Sequence, residues 1–242
     1  MAGTHRFLEG KTAIVTGGTK GIGFEIAHSL VDAGASVLIC GRSQNDIDRA
    51  LAKLVKQPID RVKGQAADVS KVEEVAKVFE VTDREFGGLD ILVNNAGVGK
   101  FASTAALTVE EWRQMIDTNL NGVFYCSREA LSRFGKRGGG YVINISSLAG
   151  KNAFAGGAAY NASKFGLNGF SEAMMLDHRH DNVRVSYIMP GSVDTSFGSN
   201  SGTKAEWKIA PEDIAEIVLL LLRMPSRTLI SRVEVRPSRP KG

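Results

Sequence analysis

The chain has 242 residues, of which 43% are hydrophobic and 23% are charged, and these values exclude a disulfide-stapled miniprotein and a disordered chain. The longest apolar run near the C-terminus covers residues 217–222, far short of the about 20 residues of a membrane-spanning helix, and the N-terminus lacks the apolar stretch of a secretory signal, so we expect a cytoplasmic protein with no membrane partner. Residues 223–242 contain six basic residues and one acid, a charge of +5, so with a net charge of +4 the remainder of the chain carries −1. A nearly neutral body argues against a nucleic-acid partner.

Apolar segments of strand length alternate with amphipathic segments of helix length along the chain. In chain order, we predict a strand over 12–16, a helix over 22–32, a strand over 35–40, a helix over 46–56, a strand over 62–67, a helix over 72–86, a strand over 89–94, a helix over 110–134, a strand over 141–146, a helix over 158–179, a strand over 183–189, a helix over 212–222 and a strand over 229–235. Crossovers between parallel strands must lay helices over the sheet. The predicted fold class is therefore α/β, a single-domain Rossmann fold with a seven-stranded, mainly parallel sheet and helices on both faces.

This alternation is not interrupted by a linker long enough to separate domains, since Gly138-Gly-Gly140 is only a helix-to-strand turn. We therefore predict one domain over 1–242. Residues 196–208 are rich in Gly, Ser and Asn and follow a strand end, where open α/β sheets bind ligands, so we predict a mobile substrate lid there. Residues 236–242 are predicted to form a basic tail.

A glycine-rich turn, Thr16-Gly-Gly-Thr-Lys-Gly-Ile-Gly23, joins the first predicted strand to the first predicted helix. Its glycines allow a tight turn and a close backbone approach to a phosphate, and the helix N-terminus adds free N–H groups and positive potential. The spacing G-x-x-x-G-x-G differs from the common G-x-G-x-x-G fingerprint. The placement between a strand and a helix favours a pyrophosphate site over a turn that is merely rich in glycine.

The order of the motifs that follow this turn strongly resembles the compact form of the short-chain dehydrogenase/reductase family, over roughly residues 9 to 195. The resembling residues are Thr16 to Gly23, Asp68-Val69, Asn94-Asn-Ala-Gly97, Asn119, Ser147, Tyr160-Asn-Ala-Ser-Lys164 and Pro190-Gly-Ser-Val-Asp-Thr195. The resemblance implies a dinucleotide-binding catalytic domain that transfers a hydride between a nicotinamide cofactor and a carbonyl or alcohol substrate.

The charge at the end of the second predicted strand indicates which nicotinamide cofactor binds. An acidic residue there binds the ribose 2′-hydroxyl of NAD, whereas a basic one accommodates the 2′-phosphate of NADP. Cys40-Gly41-Arg42 has no acid, and Lys20 in the glycine-rich turn adds a second positive charge. Asp46 and Asp48 come later and are expected to begin the next helix. We therefore predict NADP(H).

Tyr160 and Lys164 are four residues apart on a predicted helix, so their side chains share a face. An isolated tyrosine has a pKa near 10 and is a poor acid at neutral pH. An ammonium about 4 Å away contributes roughly 4 kcal/mol, at most about three pKa units. We therefore expect Lys164 to lower the pKa of Tyr160 into the working range of a general acid.

The resemblance assigns catalytic roles that agree with this expectation. Tyr160 would protonate the carbonyl oxygen, Ser147 would hydrogen-bond the same oxygen, and Lys164 would bind the nicotinamide ribose. Asn119 would hold a water that connects Lys164 to solvent. Ser146 is the alternative to Ser147 as the serine that contacts the carbonyl.

The same resemblance implies further cofactor contacts. Asp68 would accept from the adenine amino group, Asn95 would lie by the adenosine ribose, and Val193 and Thr195 would hold the carboxamide. The full predicted set of cofactor-binding residues is Gly17, Thr19, Lys20, Gly21, Ile22, Gly23, Arg42, Asp68, Val69, Asn95, Ala96, Gly97, Tyr160, Lys164, Pro190, Val193 and Thr195. No metal site is predicted, because Cys40 and Cys126 have no Cys or His neighbour at ligand spacing.

The predicted function is NADPH-dependent interconversion of a ketone or aldehyde and an alcohol, an oxidoreductase acting on CH–OH donors, in a homodimer or homotetramer. The small, polar predicted lid indicates an open site for a modest carbonyl substrate. One alternative is a 3-oxoacyl-[acyl-carrier-protein] reductase, favoured by Arg128, Arg133, Lys136 and Arg137 but weakened by Met174-Met-Leu-Asp177 on the second long helix. Others are a non-catalytic NADP(H)-sensing regulator, an epimerase or dehydratase like the longer relatives, and a polyanion-binding protein that uses the basic tail.

Overall fold

A seven-stranded sheet runs through the part of the chain that the computed structural model describes, residues 6–54, 61–197 and 206–240. All the strands pair in parallel, in the order β3-β2-β1-β4-β5-β6-β7. The strands are β1 (Thr12–Thr16), β2 (Ser36–Gly41), β3 (Val62–Ala66), β4 (Ile91–Asn94), β5 (Gly140–Ile145), β6 (Val183–Pro190) and β7 (Arg232–Val235). The α-helices are α1 (Gly21–Asp32), α2 (Gln44–Leu54), α3 (Val72–Phe86), α4 (Val109–Ile116), α5 (Gly122–Arg137), α6 (Ala158–His178) and α7 (Pro211–Arg223).

Helices cover the sheet on both faces, and this is why the central strands are apolar without alternation. Every residue of β1 and β4 is buried. The neighbours Ile14 and Val15 belong to opposite core clusters, because successive strand side chains point to opposite faces. The Val15 cluster includes residues of α1, α2 and α7, and the Ile14 cluster includes residues of α3, α5 and α6. The predicted Rossmann fold with helices on both faces is confirmed.

The strand order reverses between β1 and β4, and this reversal positions the candidate site. β1 pairs with β2 on one side and with β4 on the other. The strands β2 and β3 therefore follow β1 on one side of the sheet, and β4 to β7 follow on its other side. Ligands of open α/β sheets bind in the crevice outside the carboxyl ends of the strands at such a point.

The helix predicted over 110–134 is not one regular α-helix. A π-turn over Asp117–Asn121 lies between α4 and α5, and the Gly122 N–H bonds to the Asp117 carbonyl five residues back. Gly122 lies close to Val69, since a Cβ at this position would come 2.9 Å from the Val69 carbonyl oxygen. The period of apolar residues does not distinguish an α-helix from one that contains a single wider turn, and such turns are frequent at functional sites.

Three further predicted segments differ from the structure by more than two residues or extend outside the described residues. The last strand begins at Arg232, three residues later than predicted. The predicted end of the second helix at residue 56 lies outside the described residues, as does most of the predicted lid, whose described parts are Ser196, Phe197 and residues 206–208. Within the described segments, every helix is too short or too polar to cross a membrane.

Candidate active site

The residues singled out in the sequence come together at the carboxyl ends of the strands. The glycine-rich turn follows β1, Arg42 follows β2, Asn95 follows β4 and Ser147 follows β5. Asp68 and Val69 lie just beyond β3, and Pro190 is the last residue of β6. Parallel strands place all these ends at one edge of the sheet, so segments that are distant in the chain surround one crevice.

The glycine-rich turn has the geometry of a phosphate cradle. Gly17 and Gly21 have φ values of 63° and 54°, which L-residues other than glycine rarely adopt. A Cβ at Gly23 would lie 2.3 Å from both the Gly17 carbonyl oxygen and the Asn95 amide nitrogen. Glycine is therefore required for the close packing of the turn, and α1 begins at Gly21 with free N–H groups directed at the crevice. This backbone fits a pyrophosphate.

Asn95 joins the end of β4 to the glycine-rich turn. Its side-chain amide donates to the carbonyl oxygens of Thr16, at 3.0 Å, and of Gly17, at 3.1 Å. The Thr16 hydroxyl oxygen in turn accepts from the backbone N–H groups of Asn95 and Ala96, both at 3.0 Å. The Asn95 amide thus holds the cradle across the strand reversal; its predicted place beside the adenosine ribose stays a prediction.

The end of β2 presents positive charge. Arg42 is exposed, and Asp46, an acid four residues later, pairs with Arg49 instead. Gly41 lets the glycine-rich turn approach β2, since a Cβ there would lie 3.0 Å from the Thr19 methyl group. Lys20 is also exposed, on the turn itself. The crevice can therefore accept an anionic group at the end of β2.

Ser147, Tyr160 and Lys164 lie together beside the crevice. Ser147 follows β5, and the other two lie in the first two turns of α6. Tyr160 is 9% exposed and Lys164 is 5% exposed. The Lys164 ammonium donates to the Ile145 carbonyl oxygen at 3.0 Å and lies 5.9 Å from the centre of the Tyr160 ring. The predicted sharing of a helix face by Tyr160 and Lys164 agrees with this arrangement.

The expected pKa shift of Tyr160 is wrong for the protein by itself. Burial raises the pKa of Tyr160 above 10, and the nearby Ser147 hydroxyl opposes that rise. Burial also lowers the pKa of Lys164 to about 8. The expected shift included only the attraction between the two charged forms, whereas desolvation penalises the charge on each group.

The two candidate serines have different partners. The Ser146 hydroxyl is buried and donates to the Asn168 side-chain oxygen at 2.5 Å. The Ser147 hydroxyl accepts from the Ala149 N–H at 3.1 Å and lies near enough to the Tyr160 side chain to lower its pKa. The Ser147 hydroxyl thus lies beside Tyr160, whereas the Ser146 hydroxyl is bound to Asn168; which serine contacts the carbonyl oxygen stays a prediction.

Asn119 lies in the π-turn and is fully buried. Its side chain accepts from the Val98 N–H at 2.8 Å and donates to the Val98 carbonyl oxygen at 2.9 Å and to the Ser163 hydroxyl at 3.1 Å. It therefore connects the loop after β4 with α6. A Cβ at Gly97 would lie 3.3 Å from the Asn119 side-chain oxygen and 4.0 Å from the Lys164 nitrogen, which makes Asn119 a neighbour of Lys164.

The loop after β6 lies against the glycine-rich turn. Val193 forms an isolated parallel bridge with Ile209, and the Thr195 methyl group would lie 3.2 Å from a Cβ at Gly21. On the opposite side of the crevice, the Asp68 carboxylate accepts from the N–H and the hydroxyl of Ser70. The predicted contacts of Asp68, Val193 and Thr195 with the cofactor stay predictions.

Four aromatic side chains form a continuous series at the crevice, which we name the aromatic row: Phe154, Phe101, Tyr160 and Phe197. Ring centres are 5.7 Å apart between the first two, 5.6 Å between Phe101 and Tyr160, and 5.8 Å between Tyr160 and Phe197. The three phenylalanines were missed in the sequence. The signal that could have found them was their position, since each is a large apolar residue in a loop of mostly small and polar residues that follows a strand end.

Both cysteines are free and fully buried. Burial raises the pKa of Cys40 to about 12 and that of Cys126 well above its ordinary value. Neutral thiols of this kind pack as small apolar groups. Among the residues that the structure describes, no three His, Cys, Asp or Glu side chains are grouped in a way that could hold a metal ion.

Comparison with known proteins gives consistent matches over nearly the whole chain. The model of the short chain dehydrogenase family matches residues 11–206. Uncharacterized oxidoreductases from Staphylococcus saprophyticus and from Staphylococcus aureus strain MRSA252 are 33% and 34% identical over 230 residues, which is 95% of this chain and 98% of each relative.

Two solved structures share the fold. One is an alcohol dehydrogenase from the archaeon Thermococcus sibiricus complexed with 5-hydroxy-NADP, with a TM-score of 0.88 and 29% identity. The other is a metagenomic short-chain oxidoreductase in complex with NADP, with a TM-score of 0.84 and 35% identity. Each match covers 96% of this chain and 99% of the other.

Proposed function

This chain belongs to the short-chain dehydrogenase family, and on that premise we propose that it is an NADP(H)-dependent oxidoreductase that interconverts a ketone or aldehyde and the corresponding alcohol. One observation carries the proposal: the buried Lys164 ammonium lies 5.9 Å from the centre of the Tyr160 ring, and the Ser147 hydroxyl lies near enough to Tyr160 to lower its pKa. A proton donor, a second hydrogen-bond donor and a positive charge thus surround the position that a carbonyl oxygen would take.

The chain's own residues handle the proton and the charge of this reaction. Bound in the crevice, NADPH supplies the hydride that becomes the C–H of the alcohol. Tyr160 donates its proton to the carbonyl oxygen, and Ser147 hydrogen-bonds the same oxygen as negative charge develops there. Lys164 stabilises the resulting tyrosinate, and its pKa of about 8 leaves it largely protonated at neutral pH. Solvent finally returns the proton to Tyr160.

The cofactor proposal rests on charge and on backbone shape. The cradle of Gly17, Gly21 and Gly23 would bind the pyrophosphate, while Arg42 and Lys20 would bind the 2′-phosphate. The two structural relatives, one complexed with 5-hydroxy-NADP and the other with NADP, support the same choice. Four points stay predictions: the extent of the catalytic domain over 1–242, the lid over 196–208, the basic tail, and assembly as a homodimer or homotetramer.

Two alternatives are less well supported. Docking an acyl carrier protein needs accessible cations, which Arg128 and Lys136 supply as exposed side chains. The other two basic residues of α5 pair with acids of the chain: the Arg133 guanidinium lies 2.9 Å from Asp83 and 2.7 Å from Glu129, and Arg137 lies 2.8 Å from Asp90. A cofactor-sensing regulator has no need of a Ser147, Tyr160 and Lys164 arrangement beside its cofactor cradle. The ketone reductase therefore accounts for more of the site.

The proposal is tested by following NADPH absorbance with a panel of aldehydes, ketones, β-keto esters and 3-oxoacyl thioesters. We expect turnover of at least one neutral ketone or aldehyde, and a loss of several orders of magnitude in kcat in Tyr160→Phe with NADPH binding retained. Tyr125→Phe, which removes a hydroxyl on α5, is the matched control and is expected to keep full activity. Near-normal turnover in Tyr160→Phe would refute the assignment.

The cofactor choice has its own test. We expect the wild-type protein to prefer NADPH to NADH, and Arg42→Asp to raise KM for NADPH by about 10- to 100-fold, since a charge-assisted contact with the phosphate is replaced by repulsion. Arg84→Asp, on the exposed surface of α3, is expected to leave both KM values unchanged. A wild-type preference for NADH contradicts the prediction.

A further inference from the structure

We propose that the aromatic row selects neutral carbonyl substrates that carry an aryl group, in preference to aliphatic substrates of the same size. The inference rests on the proposed function, because it names the substrate class of the same site. It departs from the expectation of an open, polar site for a modest carbonyl compound, which came from the composition of residues 196–208 alone.

The three phenylalanines of the aromatic row expose apolar surface beside the reacting tyrosine. Phe101, Phe154 and Phe197 are 47%, 46% and 42% exposed, whereas Phe79 and Phe134 in the core are fully buried. Phe154 contacts Phe101, and Phe101 and Phe197 each contact Tyr160, so the half-exposed rings form a continuous apolar surface. Such surfaces rimmed by polar groups are typical of ligand-binding grooves, because a ligand that covers them removes apolar area from water.

The backbone holds these rings in place. The Ala102 N–H donates to the Gly156 carbonyl oxygen at 2.9 Å, within an isolated bridge between Ala102 and Gly157 that joins the loops carrying Phe101 and Phe154. Phe197 packs on Gly99, where a Cβ would come 2.7 Å from its ring. An aryl substrate therefore meets a surface that is already formed and loses little free energy in ordering it.

The charged side chains in the loops that carry Phe101 and Phe154 favour a neutral substrate. Lys100, next to Phe101 in sequence, lies 3.5 Å from a Glu111 carboxylate oxygen, and Lys151 lies 2.6 Å from a Glu234 carboxylate oxygen. Both ammonium groups are thus satisfied by carboxylates of the chain. An anionic group on the substrate ring would meet phenylalanines and would lose its hydration without gaining a partner.

The ring geometry favours aryl over saturated groups. The Phe101 ring meets the Tyr160 ring at 81° and the Phe154 ring at 58°, close to the edge-to-face arrangement that aromatic pairs prefer. Such a pair is stronger than apolar burial alone by an amount that corresponds to about a 2- to 12-fold change in affinity. A phenyl ring can make this contact, whereas a cyclohexyl ring of similar size buries apolar area without it.

The test compares 4-phenyl-2-butanone with 4-cyclohexyl-2-butanone, in which the ring is not conjugated with the carbonyl. We expect a phenyl-to-cyclohexyl ratio of kcat/KM of about 3 to 10 in the wild type, falling to about 1 in the double variant Phe101→Leu/Phe154→Leu, which keeps apolar volume but removes both rings. Phe124→Leu, an equally exposed phenylalanine on α5, is the matched control and is expected to keep the wild-type ratio. Because both kcat/KM values are measured on the same preparation of a variant, their ratio does not depend on the fraction of the protein that is folded.

A binding measurement separates failure of this inference from failure of the proposed function. Dissociation constants for both ketones are measured by saturation-transfer NMR titration on the protein with NADP⁺ added, where no chemistry is required. Tighter binding of the phenyl compound that is lost in the double variant supports the aromatic row even if no ketone is reduced. A ratio that the two substitutions leave unchanged, or a preference for the cyclohexyl compound, overturns the inference even if both ketones are reduced rapidly.

Discussion

The Asn161 side-chain amide donates to the Ala149 carbonyl oxygen at 2.6 Å. Asn161 directly follows Tyr160 on α6, and Ala149 lies two residues after Ser147. The same side chain donates to the Asn152 carbonyl oxygen at 3.2 Å and accepts from the Phe154 N–H at 3.4 Å. Asn161 therefore fixes the loop between Ser147 and Tyr160, the two residues that we propose contact the substrate oxygen.

We expect Asn161→Ala to lower kcat by about 10- to 100-fold with KM for NADPH unchanged, because a shift of about 1 Å between positioned groups has an effect of this size. Steady-state kinetics with NADPH and a carbonyl substrate of the panel measures both constants. Asn182→Gly removes a similar amide-to-carbonyl bond, to Gly138 at 2.7 Å, away from the site, and is expected to keep kcat. If Asn161→Ala changes only thermal stability, Asn161 does not position the site.

Ser147→Ala and Ser146→Ala are expected to differ sharply. Ser147→Ala removes a hydrogen bond to the developing oxyanion and is expected to lower kcat by about 10²- to 10³-fold. Ser146→Ala leaves the Asn168 oxygen without its donor, and is expected to lower stability by about 1 kcal/mol with kcat within about tenfold of wild type. Kinetics and urea denaturation of both variants check this; the reverse order of kcat values would assign the role to Ser146.

Lys164→Met is expected to stabilise the cofactor-free protein while abolishing turnover. Burial lowers the pKa of Lys164 from 10.5 to about 8, a difference of about 3 kcal/mol at neutral pH. Loss of the bond to the Ile145 carbonyl offsets about 1 kcal/mol, which leaves a net gain of about 2 kcal/mol.

The pH dependence of Lys164→Met follows from linkage. Between pH 8 and 10.5 the unfolded wild-type chain binds more protons than the native one, so wild-type stability rises with pH over this window and the penalty is complete below pH 8. The advantage of the variant should therefore be largest at pH 7 and smaller at pH 10, as measured by urea denaturation. A variant less stable than the wild type at pH 7 contradicts the prediction.

Asp90 is expected to stabilise the opposite edge of the sheet from the site. Burial raises its pKa, but hydrogen bonds from Arg137 at 2.8 Å, the Thr12 N–H at 2.9 Å and Lys11 at 3.0 Å outweigh that effect and hold the pKa below its ordinary value. We expect Asp90→Asn to lower the free energy of unfolding by about 3 kcal/mol at pH 7.

Because the pKa of Asp90 is lowered in the native state, its contribution is complete above the pKa of the unfolded chain and is lost as pH falls through the native pKa. The difference between wild type and Asp90→Asn should thus shrink below about pH 4. Asp83→Asn, which removes an exposed partner of Arg133, is the control and is expected to cost at most about 1 kcal/mol. A constant difference between pH 7 and pH 3 would show that the Asp90 charge is not responsible.

Local pattern is enough to predict the elements and their arrangement as a covered parallel sheet. Apolar runs such as Ile91–Asn94 indicate buried strands wherever the fold places them, and alternation with helices leaves few topologies. The glycine-rich turn and the Tyr160 to Lys164 spacing are equally local, since each is a property of consecutive residues in one turn or one helix. These features can therefore be predicted from the sequence before any tertiary contact is known.

The features of the candidate site that the sequence did not predict depend on contacts between segments that are distant in the chain. Burial reverses the expected pKa shift of Tyr160, and the partner of each hydroxyl distinguishes Ser146 from Ser147; neither property belongs to the residues' own neighbours in the chain. The aromatic row joins loops from three strand ends, so Phe101, Phe154 and Phe197 become one surface only after folding. The sequence shows that these residues are phenylalanines, but whether their rings form one surface depends on the distances between loops, which the sheet topology sets.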